Sequence, residues 1–169
     1  MASIDALKKA NLFESLSNDQ LKTIAKLGQE KSFKSGEEIF KQGQKAKTLY
    51  VLLDGTVTLR IKAEEEIDLM AETLKETGAV FGTASLMSPN ISNVTARCLK
   101  NTKALAMDSA GFQEILRRDP LIGFEIMTKL AQLYFQRLNS SRAAITNLFK
   151  IFKFQTHKPL VFDTYGELK

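Results

Sequence analysis

The fold class is decided by the stretch YVLLDGTVTLRI at residues 50–61. Val57, Leu59 and Ile61 alternate with polar residues, so this period of two predicts that they share one face of a strand. Asp54-Gly55 separates this run from an apolar run before it. Because a type I′ turn needs positive φ, Asp-Gly at this place predicts a hairpin between the two runs.

Outward from this stretch, the period of two covers residues 29–107. Glycines interrupt the region at Gly36, Gly43, Gly55, Gly78 and Gly82. Short strands between glycine turns predict a small sandwich or barrel rather than βαβ units. The acidic run at 64–66 is interpreted as a solvated strand end or turn rather than a cation site.

Helical patterns flank the predicted strands. Residues 5–28 contain a capping box, in which Ser17 and Gln20 exchange hydrogen bonds, and Gly28 is expected to end this helix. Asp108 or Ser109 is expected to cap a short helix. Asp119-Pro120 then begins a helix that extends to about residue 153. The predicted organisation is one domain over residues 1–153, with a β-roll at about 29–107 and a long helix at about 120–153, followed by a tail at 154–169.

Apolar residues recur at alternating spacings of three and four along the long helix, the pattern of a and d positions in a coiled coil. We call this set the seam. It comprises Phe124, Met127, Ala131, Tyr134, Leu138, Ser141, Ile145, Leu148 and Phe152. Packing along the core of its own domain is the alternative and suits the first two turns. Because the later stripe is narrow, we favour pairing with a second copy and predict a homodimer.

Composition excludes several classes of protein. The 169 residues carry a formal net charge of +5, with a single cysteine, Cys98, and a single histidine, His157. These counts exclude a disulfide framework and a thiolate zinc cluster, and we expect neither a metal nor a cofactor. No apolar run reaches the ~20 residues that span a bilayer, and the first fifteen residues lack a secretory signal. We therefore expect a cytoplasmic protein.

The chemistry of a catalytic site is also missing. Cys98 lies in a strand pattern, and the only histidine is in the tail, so Cys98 is interpreted as structural rather than nucleophilic. The chain contains neither a P-loop nor a dinucleotide fingerprint. We predict that the protein is not an enzyme.

Several motifs at once resemble the cyclic-nucleotide-binding domain family. They are LFESLS at 12–17, FKSGEEIFKQG at 33–43, LYVLLDGTV at 49–57, Gly78 with Phe81-Gly82, and the helices at 112–116 and after Pro120. The resemblance covers residues 7–150. It implies a mostly β fold with flanking helices: a jelly-roll β-roll (a double-stranded β-helix) with N-terminal helices and a long C-terminal dimerisation helix.

The phosphate-binding cassette that the resemblance implies lies at residues 81–96, FGTASLMSPNISNVTA, and it departs from the family pattern. Thr83 stands where a glutamate contacts the ribose 2′-hydroxyl, and Asn90 stands where an arginine pairs with the cyclic phosphate. Ser92 and Asn93 replace a small residue and a hydroxyl residue. Hydrogen bonds to charged groups contribute roughly 1.5–3 kcal/mol, so losing the arginine predicts about one to two decades weaker binding.

A cyclic nucleotide or another anionic small molecule remains the candidate ligand. Backbone N–H groups at the start of the turn and nearby hydroxyls are the donors that could hold it. At the midpoint of the long helix, where dimeric relatives contact the base, the chain has Ser141 and Arg142. The candidate ligand-binding residues are Gly82, Thr83, Ala84, Ser85, Asn90, Ile91, Ser92, Ser141 and Arg142. Arg97 lies seven residues from Asn90 and is expected to face the opposite side of a regular strand.

These observations favour a non-enzymatic sensory or regulatory domain with weak or no binding of cyclic AMP or cyclic GMP. One alternative is a ligand-free interaction scaffold whose pocket is filled by Met87 or Ile91. Another is a true cyclic-nucleotide binder that uses the backbone amides of the cassette. Relatives that regulate transcription carry a helix-turn-helix module after the long helix, and the seventeen residues after Phe152 are too few for one. We therefore expect no DNA-binding module in this chain.

Overall fold

The structure is a computed structural model that describes residues 2–64 and 67–151. Its helices are α1 (Ala2–Lys9), α2 (Asn18–Ala25), α3 (Ser109–Arg118) and α4 (Pro120–Ile151), with 3-10 turns at Asn11–Phe13 and Thr83–Leu86. Its strands are β1 (Gly28–Phe33), β2 (Glu38–Phe40), β3 (Thr48–Asp54), β4 (Val57–Glu64), β5 (Ile67–Leu74), β6 (Val80–Phe81), β7 (Thr95–Cys98) and β8 (Thr102–Asp108).

The strands form two four-stranded antiparallel sheets. One sheet has the order β1-β8-β3-β6 and the other the order β2-β7-β4-β5. Neighbours within each sheet are distant in sequence, except for β4 and β5. The chain therefore passes repeatedly from one sheet to the other, which is the arrangement of a jelly roll, or double-stranded β-helix. The predicted fold class is confirmed.

The hairpin predicted at Asp54-Gly55 is wrong. β3 pairs with β8 and β6, whereas β4 pairs with β5 and β7, so Gly55 carries the chain from one sheet to the other. Gly55 does adopt the predicted positive φ, at 105°. A Cβ there would lie 2.6 Å from the Asn101 carbonyl oxygen, so the corner between the sheets also needs glycine for space.

The predicted alternation in β4 holds only for its first part. Val57 and Leu59 are buried, but Ile61 is exposed and lies beyond the register shift between Leu59 and Arg60 in the pairing with β5. Thr58, expected to face outward, is also buried, and its hydroxyl donates to the Arg97 carbonyl at 3.3 Å.

A core of buried side chains fills the space between the two sheets. Its members are Tyr50, Leu52, Val57, Leu59, Leu74, Phe81, Ala96, Cys98, Ala104 and Ala106. Leu49 and Val51 alternate with the first two and are equally buried. Strand β3 is therefore covered on both faces, which explains why its sequence is continuously apolar.

The N-terminal segment packs against the C-terminal helices. The Phe13 and Phe112 rings meet edge to face with centroids 6.1 Å apart, and both are fully buried. Glu14 forms an ion pair with Lys129 of α4. The capping box of Ser17 and Gln20 is present, as predicted.

Gly28 does not end a helix as expected. Helix α2 ends at Ala25, and Gly28 is the first residue of β1. A Cβ on Gly28 would lie 2.4 Å from Cδ1 of Leu105 in the neighbouring strand. The position needs glycine because the buried Leu105 side chain fills the space that a Cβ would occupy.

Both predicted caps of the C-terminal helices are present. The Asp108 carboxylate accepts the Gly111 N–H at 3.0 Å. The Asp119 carboxylate accepts the N–H groups of Leu121 and Ile122 at 3.1 and 3.2 Å. Residues up to Leu130 belong to one compact unit, and the second unit begins at Ala131, within α4.

Candidate functional site

The cassette begins where β6 ends at a buried aromatic residue and a left-handed glycine. Phe81 is fully buried, and Gly82 has φ 73°. A Cβ on Gly82 would lie 2.6 Å from the Thr48 carbonyl oxygen and 3.1 Å from the Tyr50 ring. Backbone strain and lack of space therefore both require glycine here.

The 3-10 turn that follows Gly82 holds three of the predicted site residues. Thr83 and Ser85 are buried, and Ala84 is half-buried. The Ser85 N–H donates to the Gly82 carbonyl at 3.0 Å, so that amide is used within the turn. The Ser85 hydroxyl is buried without a hydrogen-bond partner among the residues that the structure describes.

Asn90 is held by contacts inside the cassette. It adopts a left-handed conformation with φ 58°, which asparagine tolerates better than most residues. Its side-chain amide donates to the Ser85 carbonyl at 2.9 Å. The structure thus brings two predicted site residues, Ser85 and Asn90, into contact. Their hydrogen bond uses the Asn90 amide within the protein.

The outer edge of the cassette pairs with the loop before β3. Lys45 and Ile91 form an antiparallel bridge, and Ser92 donates its N–H to the Gln44 carbonyl at 2.9 Å. Ser92 is buried, whereas Ile91 is half exposed. Met87 is also exposed, so neither of the two side chains that the scaffold alternative offers to fill the pocket is buried.

Two cationic residues near the cassette, Arg97 and Lys45, have defined positions. The Arg97 Nε donates to the Gly36 carbonyl at 3.1 Å, in the turn between β1 and β2. Arg97 lies in β7, but Asn90 lies outside that strand with φ 58°, so the strand-parity expectation does not apply. Lys45 is bridged to Ile91, and residues paired in this way share a face. Lys45 is therefore on the exposed side with Ile91, opposite to the buried Ser92.

An aromatic stack that sequence reasoning missed lies beside Gly82. The Tyr50 and Phe81 rings stack with centroids 5.0 Å apart and planes 10° apart, and Phe40 stacks on both. Burial raises the pKa of the Tyr50 phenol. Strand alternation could not have placed these rings, because β3 is buried on both faces and β2 and β6 have only three and two residues.

Cys98 is buried in β7, as the interpretation of a structural cysteine requires. Burial raises the pKa of its thiol, and a hydrogen bond with Thr102 only partly offsets this. Nucleophilic cysteines need the opposite shift. Within residues 2–64 and 67–151, no group of three or more His, Cys, Asp or Glu side chains is placed to hold a metal ion.

The first turns of α4 have two apolar faces. Ile122, Ile126 and Leu130 are buried against the first unit, whereas Phe124 and Met127 of the seam are exposed. Leu121 is exposed as well, although the predicted seam omitted it.

In the second unit, most described members of the seam are also exposed. Leu138, Ile145 and Leu148 each expose about half of their surface, and Ser141 and Arg142 are exposed. Phe135 adds an exposed aromatic ring beside the predicted seam. Phe152, His157 and the tail lie outside the described residues.

A comparison with protein families agrees with the fold and with the position of the cassette. The cyclic nucleotide-binding domain family matches residues 30–119, which is more than half of the chain. The chain belongs to this family. The matched segment runs from β1 to the residue before α4 and includes the whole cassette.

Solved structures support the same assignment. A Geobacter metallireducens protein named for cyclic nucleotide binding is 32% identical, with a TM-score of 0.69, over 82% of this chain and 99% of that chain. The catabolite activator protein of Thermus thermophilus is 24% identical, with a TM-score of 0.71, over 82% of this chain and 63% of that chain. This second likeness shows the fold alone.

Among the curated relatives is the CRP-like cAMP-activated global transcriptional regulator of Mycobacterium tuberculosis. It is 22% identical over 139 residues, which are 82% of this chain and 61% of the regulator. The chain spans 27% to 61% of the length of the curated relatives compared here. Within the part of the chain that the structure covers, no helix combines the length and apolar character needed to cross a membrane.

Proposed function

We propose that this chain is a non-enzymatic regulatory domain of the cyclic nucleotide-binding fold whose cassette binds cyclic AMP and cyclic GMP weakly or not at all. The observation that carries this proposal is the placement of Asn90. It occupies the position of the family's arginine, is uncharged, and donates its amide to the Ser85 carbonyl at 2.9 Å. A cyclic phosphate would therefore meet neither the charge nor a free amide at this position.

The other polar positions of the cassette support the same conclusion. Thr83 replaces an acidic partner for the ribose and is buried. Arg97 is hydrogen-bonded to Gly36. Because a charge-assisted contact is roughly twice as strong as a neutral one, these exchanges remove the strongest polar contacts of the family pattern.

Calorimetric titration with cyclic AMP and cyclic GMP tests this proposal. We expect no saturable heat at micromolar nucleotide with the native chain. The double variant Thr83→Glu/Asn90→Arg restores both family residues and should bind at least tenfold more tightly than the native chain.

The matched control is Thr83→Gln/Asn90→Gln, which adds length without charge and should bind no better than the native chain. Micromolar affinity of the native chain for cyclic AMP would overturn the proposal. That result would instead favour the alternative in which backbone amides of the cassette hold the nucleotide.

We further propose that the domain acts as a homodimer through α4. Five described seam residues, Phe124, Met127, Leu138, Ile145 and Leu148, each expose between 45% and 68% of their surface. Exposed large apolar side chains at heptad spacing are typical of a helix that pairs with another helix. A cytoplasmic location fits this proposal.

Light scattering after gel filtration tests the dimer. The native chain should have about twice the 18.9 kDa chain mass. Leu138→Asp should yield the monomer, because it places a charge in the seam. Gln136→Asp, an exposed position two residues away on another face of the helix, should remain dimeric. A native chain that is monomeric at high concentration would remove the dimer from the proposal.

A ligand-free interaction scaffold is the second candidate function. The aromatic stack of Phe40, Tyr50 and Phe81 favours it, because these rings occupy the interior of the roll beside the cassette. Native mass spectrometry of the protein as purified tests the scaffold. A bound small molecule would contradict the scaffold, and a bare chain would support it.

A further inference from the structure

Two side-chain amides from different parts of the fold share one acceptor in the cassette. The Asn90 Nδ2 donates to the Ser85 carbonyl at 2.9 Å, and the Gln113 Nε2 of α3 donates to the same oxygen at 3.4 Å. We call these three residues the Ser85 clip. Gln113 in turn accepts a bond from Arg117, one turn along α3, at 3.4 Å.

The backbone around the clip is hydrogen-bonded within the protein. The Asn90 N–H donates to the Met87 carbonyl at 2.7 Å, and the Asn90 carbonyl accepts the Ala46 N–H at 2.7 Å. The Ser92 carbonyl accepts the Gly43 N–H, also at 2.7 Å. These three short bonds, together with the Asn90 amide, hold the tip of the cassette from both sides.

We propose that the Ser85 clip is an internal lock that holds the cassette against α3 without a ligand. The Asn90 amide fixes the cassette by a hydrogen bond within the chain. The Gln113 amide bonds to the same oxygen and so connects the cassette to α3, the helix that leads into α4. The cassette and α3 then open and close as one unit. A regulatory role for this lock rests on the proposed function, because a cassette that binds nucleotide strongly would be held in place by contacts with the ligand.

Hydrogen–deuterium exchange of the full chain, without any nucleotide, tests the lock. Asn90→Asp keeps the size of the side chain but removes the donor. It should raise exchange in residues 83–92 and in α3 by about five- to tenfold, as expected when one hydrogen bond that closes a local unit is lost. Asn93→Asp is the matched control. It adds the same charge to an exposed position of the cassette and should leave both segments unchanged.

Gln113→Glu tests the clip from the side of α3. It keeps the acceptor for Arg117 but loses the donor to Ser85, and it should raise exchange in both segments less than Asn90→Asp does, because its bond is longer. If the clip is one unit, the double variant should raise exchange in residues 83–92 and in α3 together, by at least as much as Asn90→Asp alone. An increase confined to residues 83–92 would overturn the proposal.

Exchange in β3 and β8 reports whether a variant still folds. If Asn90→Asp also raises exchange in these core strands, Asn90→Gly takes its place, because glycine keeps the left-handed backbone and lacks the amide. Because no nucleotide is present, the lock can fail while the proposed loss of nucleotide binding stands. The nucleotide titration can likewise fail while exchange shows the lock.

Discussion

The two halves of the cassette, residues 81–86 and residues 87–92, are held by different forces. The first half is fixed by packing: Phe81 and Leu86 are buried, and Gly82 lies against the backbone of β3. In the second half, Met87 and Ile91 are exposed, and hydrogen bonds centred on Asn90 hold the chain. The two departures from the family's ligand contacts fall one in each half, Thr83 in the packed half and Asn90 in the half held by hydrogen bonds.

The largest expected effect tests the packed half. Phe81→Ala removes a fully buried ring from a stack of three and should lower the free energy of unfolding by about 3–5 kcal/mol. Urea denaturation followed by circular dichroism measures this. Ile91→Ala, in the exposed half, should cost less than about 0.5 kcal/mol. Similar losses for the two variants would remove the distinction between the halves.

The next effect separates two reasons why position 82, in the packed half, is glycine: lack of space and backbone strain. Gly82 and Gly43 both have positive φ, at 73° and 81°, but a Cβ on Gly43 meets nothing within 4 Å. Gly43→Ala should therefore cost about 1–2 kcal/mol from strain alone. Gly82→Ala should cost about 1–3 kcal/mol more because of its clash with Thr48. Equal losses in urea denaturation would mean that the close approach to β3 relaxes freely.

A smaller effect sharpens the account of the second half. Asn90→Gly keeps the left-handed backbone and loses the amide bond, which should cost about 1 kcal/mol. Asn90→Ala loses the same bond and adds backbone strain, for about 2 kcal/mol in total. Thermal unfolding of both variants measures the difference. If glycine were the more destabilising of the two, Asn90 would not be held in the way described.

The smallest expected effect concerns the core behind the cassette. Burial raises the pKa of the Cys98 thiol in the folded chain above its ordinary value near 9. Above that pH, the unfolded state loses the proton first, so the stabilisation present at lower pH is lost as the pH rises. The free energy of unfolding of Cys98→Ala should therefore fall less steeply above about pH 9 than that of the native chain. Parallel curves would show that the thiol does not titrate on unfolding.

Much of the fold could be read from local signals. The caps at Ser17, Asp108 and Asp119 depend on side chains that bond to amides two or three residues away, and all three were predicted correctly. In the site, the resemblance to the family located the cassette, and the residue types at positions 83 and 90 showed its missing charges.

Errors arose where a residue's role depends on a distant neighbour. Asp54-Gly55 has the composition of a hairpin, but β3 pairs with β8 and β4 pairs with β7. Gly28 looked like a helix cap, yet Leu105 of β8 is what requires it. The residues next to Asp54-Gly55 and to Gly28 do not indicate which distant strand each segment will pack against.

The sequence by itself determined the family, the order of elements and the absence of the arginine at position 90, because these depend on residue type and short-range spacing. Only the tertiary structure decided that Asn90 and Gln113 meet at the Ser85 carbonyl. The physical reason is that a hydrogen bond needs its donor and acceptor within about 3 Å. Between residues far apart in the chain, only the packing of β-roll and helices sets that distance.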